Sequence, residues 1–315
     1  MSAEVIHLHE PQTGATARVL VSLGFNCFEY LAPIDGQMRD VLWSHPDFAS
    51  GAQRPSRSGI PILFPFPGRI RGTEFVWNGR TYIQEANDDQ GNAIHGFVHM
   101  RRWRVLDQQA SRVVGQFQAS LDDPLLVNRW PSDFRITVAY ELTPGALRCE
   151  LRVENPDPQQ SLPCGLGLHP YFRMPPGGGD GADWLVQLPV TEQWELIDLL
   201  PTGRRLPAED APRLQQGQRF ADLAVDDVFT GLRFEGEWCE AGVNAPDGRR
   251  VVTLRFDNAF RECVVFTPPH REAICIEPYT CVPDCFRFQP QGIDAGLRVL
   301  PPNDAFTATM EVRVG

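Results

Sequence analysis

Between positions 136 and 142 every second side chain is large and apolar: Ile136, Val138, Tyr140 and Leu142 alternate with Thr137, Ala139 and Glu141. Successive side chains of a strand point to opposite faces, so this period predicts a strand with one face in a core and the other toward water. The turn pair Pro144-Gly145 follows, and then Leu147, Cys149, Leu151 and Val153 alternate with Arg148, Glu150, Arg152 and Glu154. The two runs are expected to form an antiparallel hairpin. The same pattern returns in Phe306, Ala308, Met310, Val312 and Val314. Asn78-Gly79, between Phe75/Trp77 and Tyr82, and Asp247-Gly248, ahead of Val252, Leu254 and Phe256, mark two further hairpins. A helical period is hard to find beyond two turns, and 28 prolines with 27 glycines spread along 315 residues interrupt any long helix. The expectation is an all-β chain. No linker, composition shift or internal repeat divides it, which predicts a single large antiparallel β-sandwich domain over residues 1–315.

Charge narrows the choice of partner. With 29 basic and 40 acidic residues the formal net charge is -11, so a nucleic acid would meet a repulsive field, and the clusters Arg69/Arg71 and Arg101/Arg102/Arg104 are too short to overcome it. A small molecule is the expected partner. No apolar stretch is long enough to span a membrane, and the start MSAEVIHLHEPQTG lacks the basic and apolar regions of a secretory signal, so a cytoplasmic location is expected. The eight cysteines are scattered and read as reduced, buried thiols. Cys275, Cys281 and Cys285 lie close together, but without a Cys-x-x-Cys knuckle or a histidine at ligand spacing plain packing is favoured over zinc, and no metal is assigned.

Four polar side chains stand in apolar or glycine-rich surroundings. Arg69 closes GIPILFPFPGRI, His95 lies in NAIHGF, His169 in GLGLHPYF, and Glu277 follows the apolar run Ala273 to Ile276 directly. Burying such groups is costly without partners, and a base of tuned pKa is built in this way. Each has a structural explanation when taken alone: a satisfied histidine at a strand end, a salt-bridged glutamate, an exposed arginine. Together, two histidines, a carboxylate and an arginine at glycine- or proline-marked boundaries are parts enough for acid/base chemistry on a polar substrate. Residues 175–181, PPGGGDG, form a loop soon after His169 and placed to shape a pocket.

The ordered segments GIPILFPFPGRI, FVWNG, NAIHGF with Trp103, GLGLHPYF, LLPTGRR, DDVFTGL and IEPYTCVPD resemble the aldose 1-epimerase (galactose mutarotase) family over about residues 59–288. The resemblance implies a β-supersandwich and interconversion of the α and β anomers of a free aldose, such as glucose or galactose, without cofactor. It implies Glu277 as the general base at the anomeric hydroxyl and His169 as the general acid at the ring oxygen. Arg69, His95 and Asp226 would bind the sugar, Asp226 being preferred to its neighbour Asp227 because only one of two adjacent strand residues faces a site. Cys285 and Arg287 depart from the Asp-Ala-Phe-Asn-like ending of the family.

Opening a hemiacetal requires O1 to lose a proton as the ring oxygen gains one, so an acid and a base set on opposite sides of that pair make the step concerted. Histidine suits the acid because its ordinary pKa of about 6.5 leaves a protonated fraction near neutrality, which a nearby carboxylate would enlarge. Phe172 and Trp77 are candidates to stack on a sugar face, with core packing the commoner role of such aromatics. Three rivals stay open. The first is a mutarotase of hexose 6-phosphates or other anionic sugars: relatives of that kind carry arginine after His-Gly-Phe-Ala, where this chain has Val98-His99, but Arg71, Arg101 and Arg102 are near in sequence. The others are a non-catalytic sugar-binding module, and glycoside hydrolysis by Glu277 paired with Asp226. The assembly is expected to be a monomer or homodimer.

Overall fold

A computed structural model describes residues 4–315; Met1 to Ala3, the start of the N-terminal segment read above, lie outside the described residues. The predicted central hairpin forms, with strands Arg135–Thr143 and Ala146–Glu154 in register from Thr143 against Ala146 to Arg135 against Glu154. Its burial alternates as the period requires. The C-terminal strand Ala305–Val314 pairs with Ala146–Glu154 on one side and Arg250–Asp257 on the other, which places it in the middle of a sheet rather than at an edge. Asn78 and Gly79 occupy the two-residue turn between Glu74–Trp77 and Arg80–Ile83, both with positive φ, at 48° and 76°. That is the backbone a tight hairpin turn demands.

Two large sheets carry the fold. The first has nine strands, in the order Arg104–Gln108, Arg112–Gln118, Arg135–Thr143, Ala146–Glu154, Ala305–Val314, Arg250–Asp257, Trp238–Asn244, Leu185–Gln187 and Gln218–Arg219. The second has eight: Leu200–Pro207, Glu192–Ile197, Asp226–Thr230, Glu262–Phe266, Ala273–Tyr279, Gly167–Leu168 and Ile62–Leu63, with Tyr171–Arg173 also paired to Ala273–Tyr279. A four-stranded sheet of Val5–His9, Thr16–Leu20, Asn26–Ile34 and Gln37–Asp40 completes the main architecture. All pairings between these strands are antiparallel, and the longest α-helix among the described residues is the six-residue Ala211–Gln216. No helix among them is long and apolar enough to cross a membrane.

One core joins the sheets: Val138, Tyr140, Leu151, Leu254 and Met310 from the first meet Trp194, Val228, Val265, Ile274 and Ile276 from the second and Ala17, Val19 and Tyr30 from the third. Phe172 is buried in this core, and Trp77 packs against it from its hairpin, so neither is free to stack on a sugar. All eight cysteines are buried and unpaired, as expected of plain thiols.

Candidate active site

Strand Ala273–Tyr279 is buried along its whole length. Its alternation sends Ile274 and Ile276 into the main core and turns Cys275 and Glu277 the other way, while Tyr279 packs on the core and also reaches the cavity wall. On that side lies a cavity of about 270 Å³, whose walls include all five residues singled out from the sequence: Arg69, His95, His169, Asp226 and Glu277. Asp227, the next residue on its strand, is not on the cavity wall.

The run Ile60, Ile62, Leu63, Phe64 and Phe66 is buried and holds three of these residues together. Ile62–Leu63 pairs with Gly167–Leu168, just ahead of His169, and the His169 amide donates to the Pro61 carbonyl at 3.0 Å. Seven residues on, Arg69–Ile70 pairs with Ala93–Ile94, just ahead of His95. His95 and Gly96 both have φ of 69°, a left-handed kink that turns the His95 ring to the cavity. At Gly96 a Cβ would lie 2.2 Å from the Phe64 carbonyl oxygen, so this crossing of two chains admits only glycine.

His169 Nε2 lies 3.3 Å from Glu277 Oε1, and the other carboxylate oxygen, Oε2, accepts a 2.8 Å hydrogen bond from the Tyr279 hydroxyl. The acid and base candidates therefore stand side by side rather than across the cavity from one another. The Tyr171 ring stacks on the imidazole with centroids 4.8 Å apart and planes within 1°, and its own hydroxyl is tied to the Ser56 carbonyl at 3.0 Å. His95 meets His169 edge-on at 5.6 Å, and His99 stands behind His95 at 6.2 Å. Arg69 Nε donates to Asp88 at 3.1 Å.

Burial dominates the electrostatics. It pushes Glu277 well above the usual carboxylate range, opposed by the Tyr279 hydrogen bond and Arg69 and reinforced by Asp226. It raises Asp226 as well, with Arg69 opposing. It depresses His169 to about 3, and His95 well below its ordinary value, the latter with help from the neighbouring His169 and His99. This runs against the expectation of an imidazolium near neutrality: loss of water costs the charged ring more than its backbone hydrogen bond returns. Burial also raises Asp88, yet the hydrogen bonds from Asn92, Gln90 and Arg69 outweigh it and leave the carboxyl below its usual value.

His169, Cys275 and Glu277 offer donor atoms within 4.8 Å of one another. The histidine of this trio comes from more than a hundred residues away in sequence and is supplied by the fold. A metal held by this trio would take its thiolate from a group that burial pushes well above 9, which counts against the fit.

Tyr279 and Tyr171 were not singled out; Tyr279 lies two residues beyond Glu277 on the same face of a strand, a period that could have found it, while Tyr171 follows His169 across a break between two short strands. Arg54 and Arg57, also on the cavity wall, come from the segment RPSR, which carries no such signal. Conversely, residues 175–181 are absent from the wall: Gly177 lies over the Arg39 side chain and its amide donates to the Asp40 carbonyl, so the loop covers the N-terminal sheet. Cys285 is buried in the short helix Cys285–Phe288, and neither it nor Arg287 reaches the cavity. Arg71, Arg101 and Arg102 are engaged by Asp284, Asp123 and Glu4 outside the cavity.

An antiparallel supersandwich with a buried histidine, a buried glutamate and a second, half-buried histidine on one cavity defines a galactose mutarotase-like protein. The chain belongs to the aldose 1-epimerase family, a family of isomerases, whose model matches residues 29–313. It is 28% identical over 300 residues to the uncharacterized protein YphB of Escherichia coli (strain K12), covering 89% of this chain and 92% of that one. It is 26% identical over 326 residues to maltose epimerase of Levilactobacillus brevis, covering 95% and 91%. Among solved structures, a galactose mutarotase-like protein from Clostridium acetobutylicum superposes with a TM-score of 0.84 at 20% identity, over 100% of this chain and 99% of the other.

Proposed function

We propose that this protein interconverts the α and β anomers of a free aldose, with Glu277 as the base that removes the O1 proton and His169 as the acid that protonates the ring oxygen. The observation that carries this reading is the buried His169–Glu277 contact at 3.3 Å. The two oxygens that exchange protons sit on one carbon, so an acid and a base side by side address them as well as a pair across the ring would. Their shifts also suit the task. With His169 depressed and Glu277 raised, a proton shared by the pair favours the carboxyl over the imidazole. Passing that proton from Glu277 to the imidazole creates the carboxylate and imidazolium together, without bringing charge into the cavity.

After opening, rotation about the C1–C2 bond presents the other face of the aldehyde, and closure with the roles reversed delivers the other anomer. In this reading Arg69 and Asp226 bind sugar hydroxyls and His95, kept neutral by burial, orients the ring. Equilibration of freshly dissolved α-D-glucose, α-D-galactose and, given the maltose epimerase relative, maltose, followed by polarimetry, tests the proposal. The expected result is acceleration that falls by about 10²–10⁴-fold in Glu277→Gln. A Glu277→Gln protein as fast as wild type rules out the mechanism, and a wild type that accelerates neither these sugars nor any anionic aldose rules out the function.

A further inference from the structure

Beside the catalytic cavity lies a second, larger one of about 490 Å³, and the two share Arg54, Arg57, Tyr171 and Phe266 as walls. The charge of the two spaces differs sharply. The catalytic cavity is lined by Asp88, Asp89, Asp226 and Glu277, acceptors suited to hydroxyl groups. The second has no aspartate or glutamate on its walls; its polar groups are Arg54 and Arg57 with His45, His270, Gln53 and Ser58. In a chain of 40 acidic and 29 basic residues, such a space runs against the composition.

The two arginines are also unspent. Among the described residues neither has a carboxylate oxygen within 4.0 Å, and Arg54 is tied only to the Asn87 carbonyl. Arg69, by contrast, is held by Asp88 at 3.1 Å. A guanidinium fork without a carboxylate is the group best matched to the paired oxygens of a phosphate, sulfonate or carboxylate. The position is informative as well, because both arginines stand where the two cavities adjoin. A ligand with its reducing end at Glu277 and His169 would carry a substituent past them.

We propose that the second cavity is an oxyanion subsite, and that the substrate is an aldose bearing a phosphate, sulfonate or carboxylate group held by Arg54 and Arg57. The proposal rests on the mutarotase reading for the orientation of the sugar. It also moves the anion-binding role from Arg71, Arg101 and Arg102, which are engaged elsewhere, to two arginines of the segment RPSR.

Calorimetric titration of the full chain at low ionic strength with glucose, glucose 6-phosphate, glucuronate and 6-deoxy-6-sulfoglucose tests it. At least one anionic sugar is expected to bind about tenfold or more tightly than glucose, the worth of a charge-assisted hydrogen bond. That ratio should shrink with added salt and fall toward one in the Arg54→Gln/Arg57→Gln protein. The arm that binds best identifies the anion. Equal or weaker binding of all three anionic sugars, or a preference that survives in the double variant, overturns the subsite. Should the double variant not fold, Arg57→Gln alone, at an exposed side chain without an ion pair, reads the same ratio. Rapid turnover of neutral aldoses without anion preference defeats this inference and leaves the mutarotase reading standing; anion preference without turnover of any sugar does the reverse.

Discussion

At the scale of single residues, burial moves the two central groups in opposite directions, and this has a kinetic signature. The proposed transfer needs the His169–Glu277 pair to hold one proton from mildly acid to neutral pH, and in that case kcat/KM should vary by less than about twofold between pH 5 and 7. An independent imidazolium acid with the ordinary pKa of about 6.5 would instead lose roughly fourfold over that span. A pH–rate profile with that slope would show that the pair does not share its proton. Tyr279 acts on the same balance. Its hydroxyl favours the Glu277 carboxylate, so Tyr279→Phe should raise the Glu277 pKa further, shift the profile to higher pH and slow kcat by about tenfold. An unshifted profile would limit Tyr279 to packing. That these candidates could be named beforehand owes to one rule, that a polar side chain inside an apolar segment needs a reason; what no such rule contains is the sign of the shifts, since the carboxylate and the imidazole acquire theirs from neighbours remote in sequence.

At the scale of elements, residues 59–70 are the joint of the site, pairing near one end with the strand before His169 and near the other with the strand before His95. Their hydrophobicity predicts burial; which strands they join is decided by pairing far along the chain. Gly96→Ala tests this joint. The new Cβ would meet the Phe64 carbonyl in a left-handed backbone, and the expected cost is about 2–4 kcal/mol of stability by urea denaturation. Activity should fall as well in protein still folded, because the kink aims His95. Unchanged stability would mean that the crossing relaxes freely. The hairpins were legible for the opposite reason: a Pro-Gly or Asn-Gly turn and a two-residue period are complete within a dozen residues.

At the scale of the whole molecule, the three histidines packed edge to face make the fold sensitive to acid. A histidine whose folded pKa lies below its unfolded value takes up its proton on unfolding, so stability is complete above about pH 6.5 and is lost as pH falls toward the folded value. For His99, depressed by burial to about 3, that window runs from 6.5 to about 3. Its share of the loss between pH 6.5 and 5 is about 2 kcal/mol, and the His99→Asn protein should lose that much less on acidification than wild type. Equal acid losses by urea denaturation at pH 7.5 and 5 would show that His99 is not held neutral. Strand periodicity, turn glycines and the polar residues set within apolar runs were enough, without coordinates, to define an all-β chain and to name Arg69, His95, His169 and Glu277, because those signals are local, while Asp226 followed only from the family resemblance. Their convergence on one cavity, the 3.3 Å contact, the neutral histidines, the removal of residues 175–181 from the pocket and the acid-free space beside Arg54 and Arg57 belong to the tertiary structure. Burial and electrostatic environment are sums over everything packed around a group, and those neighbours are chosen by the fold rather than by adjacency in the chain.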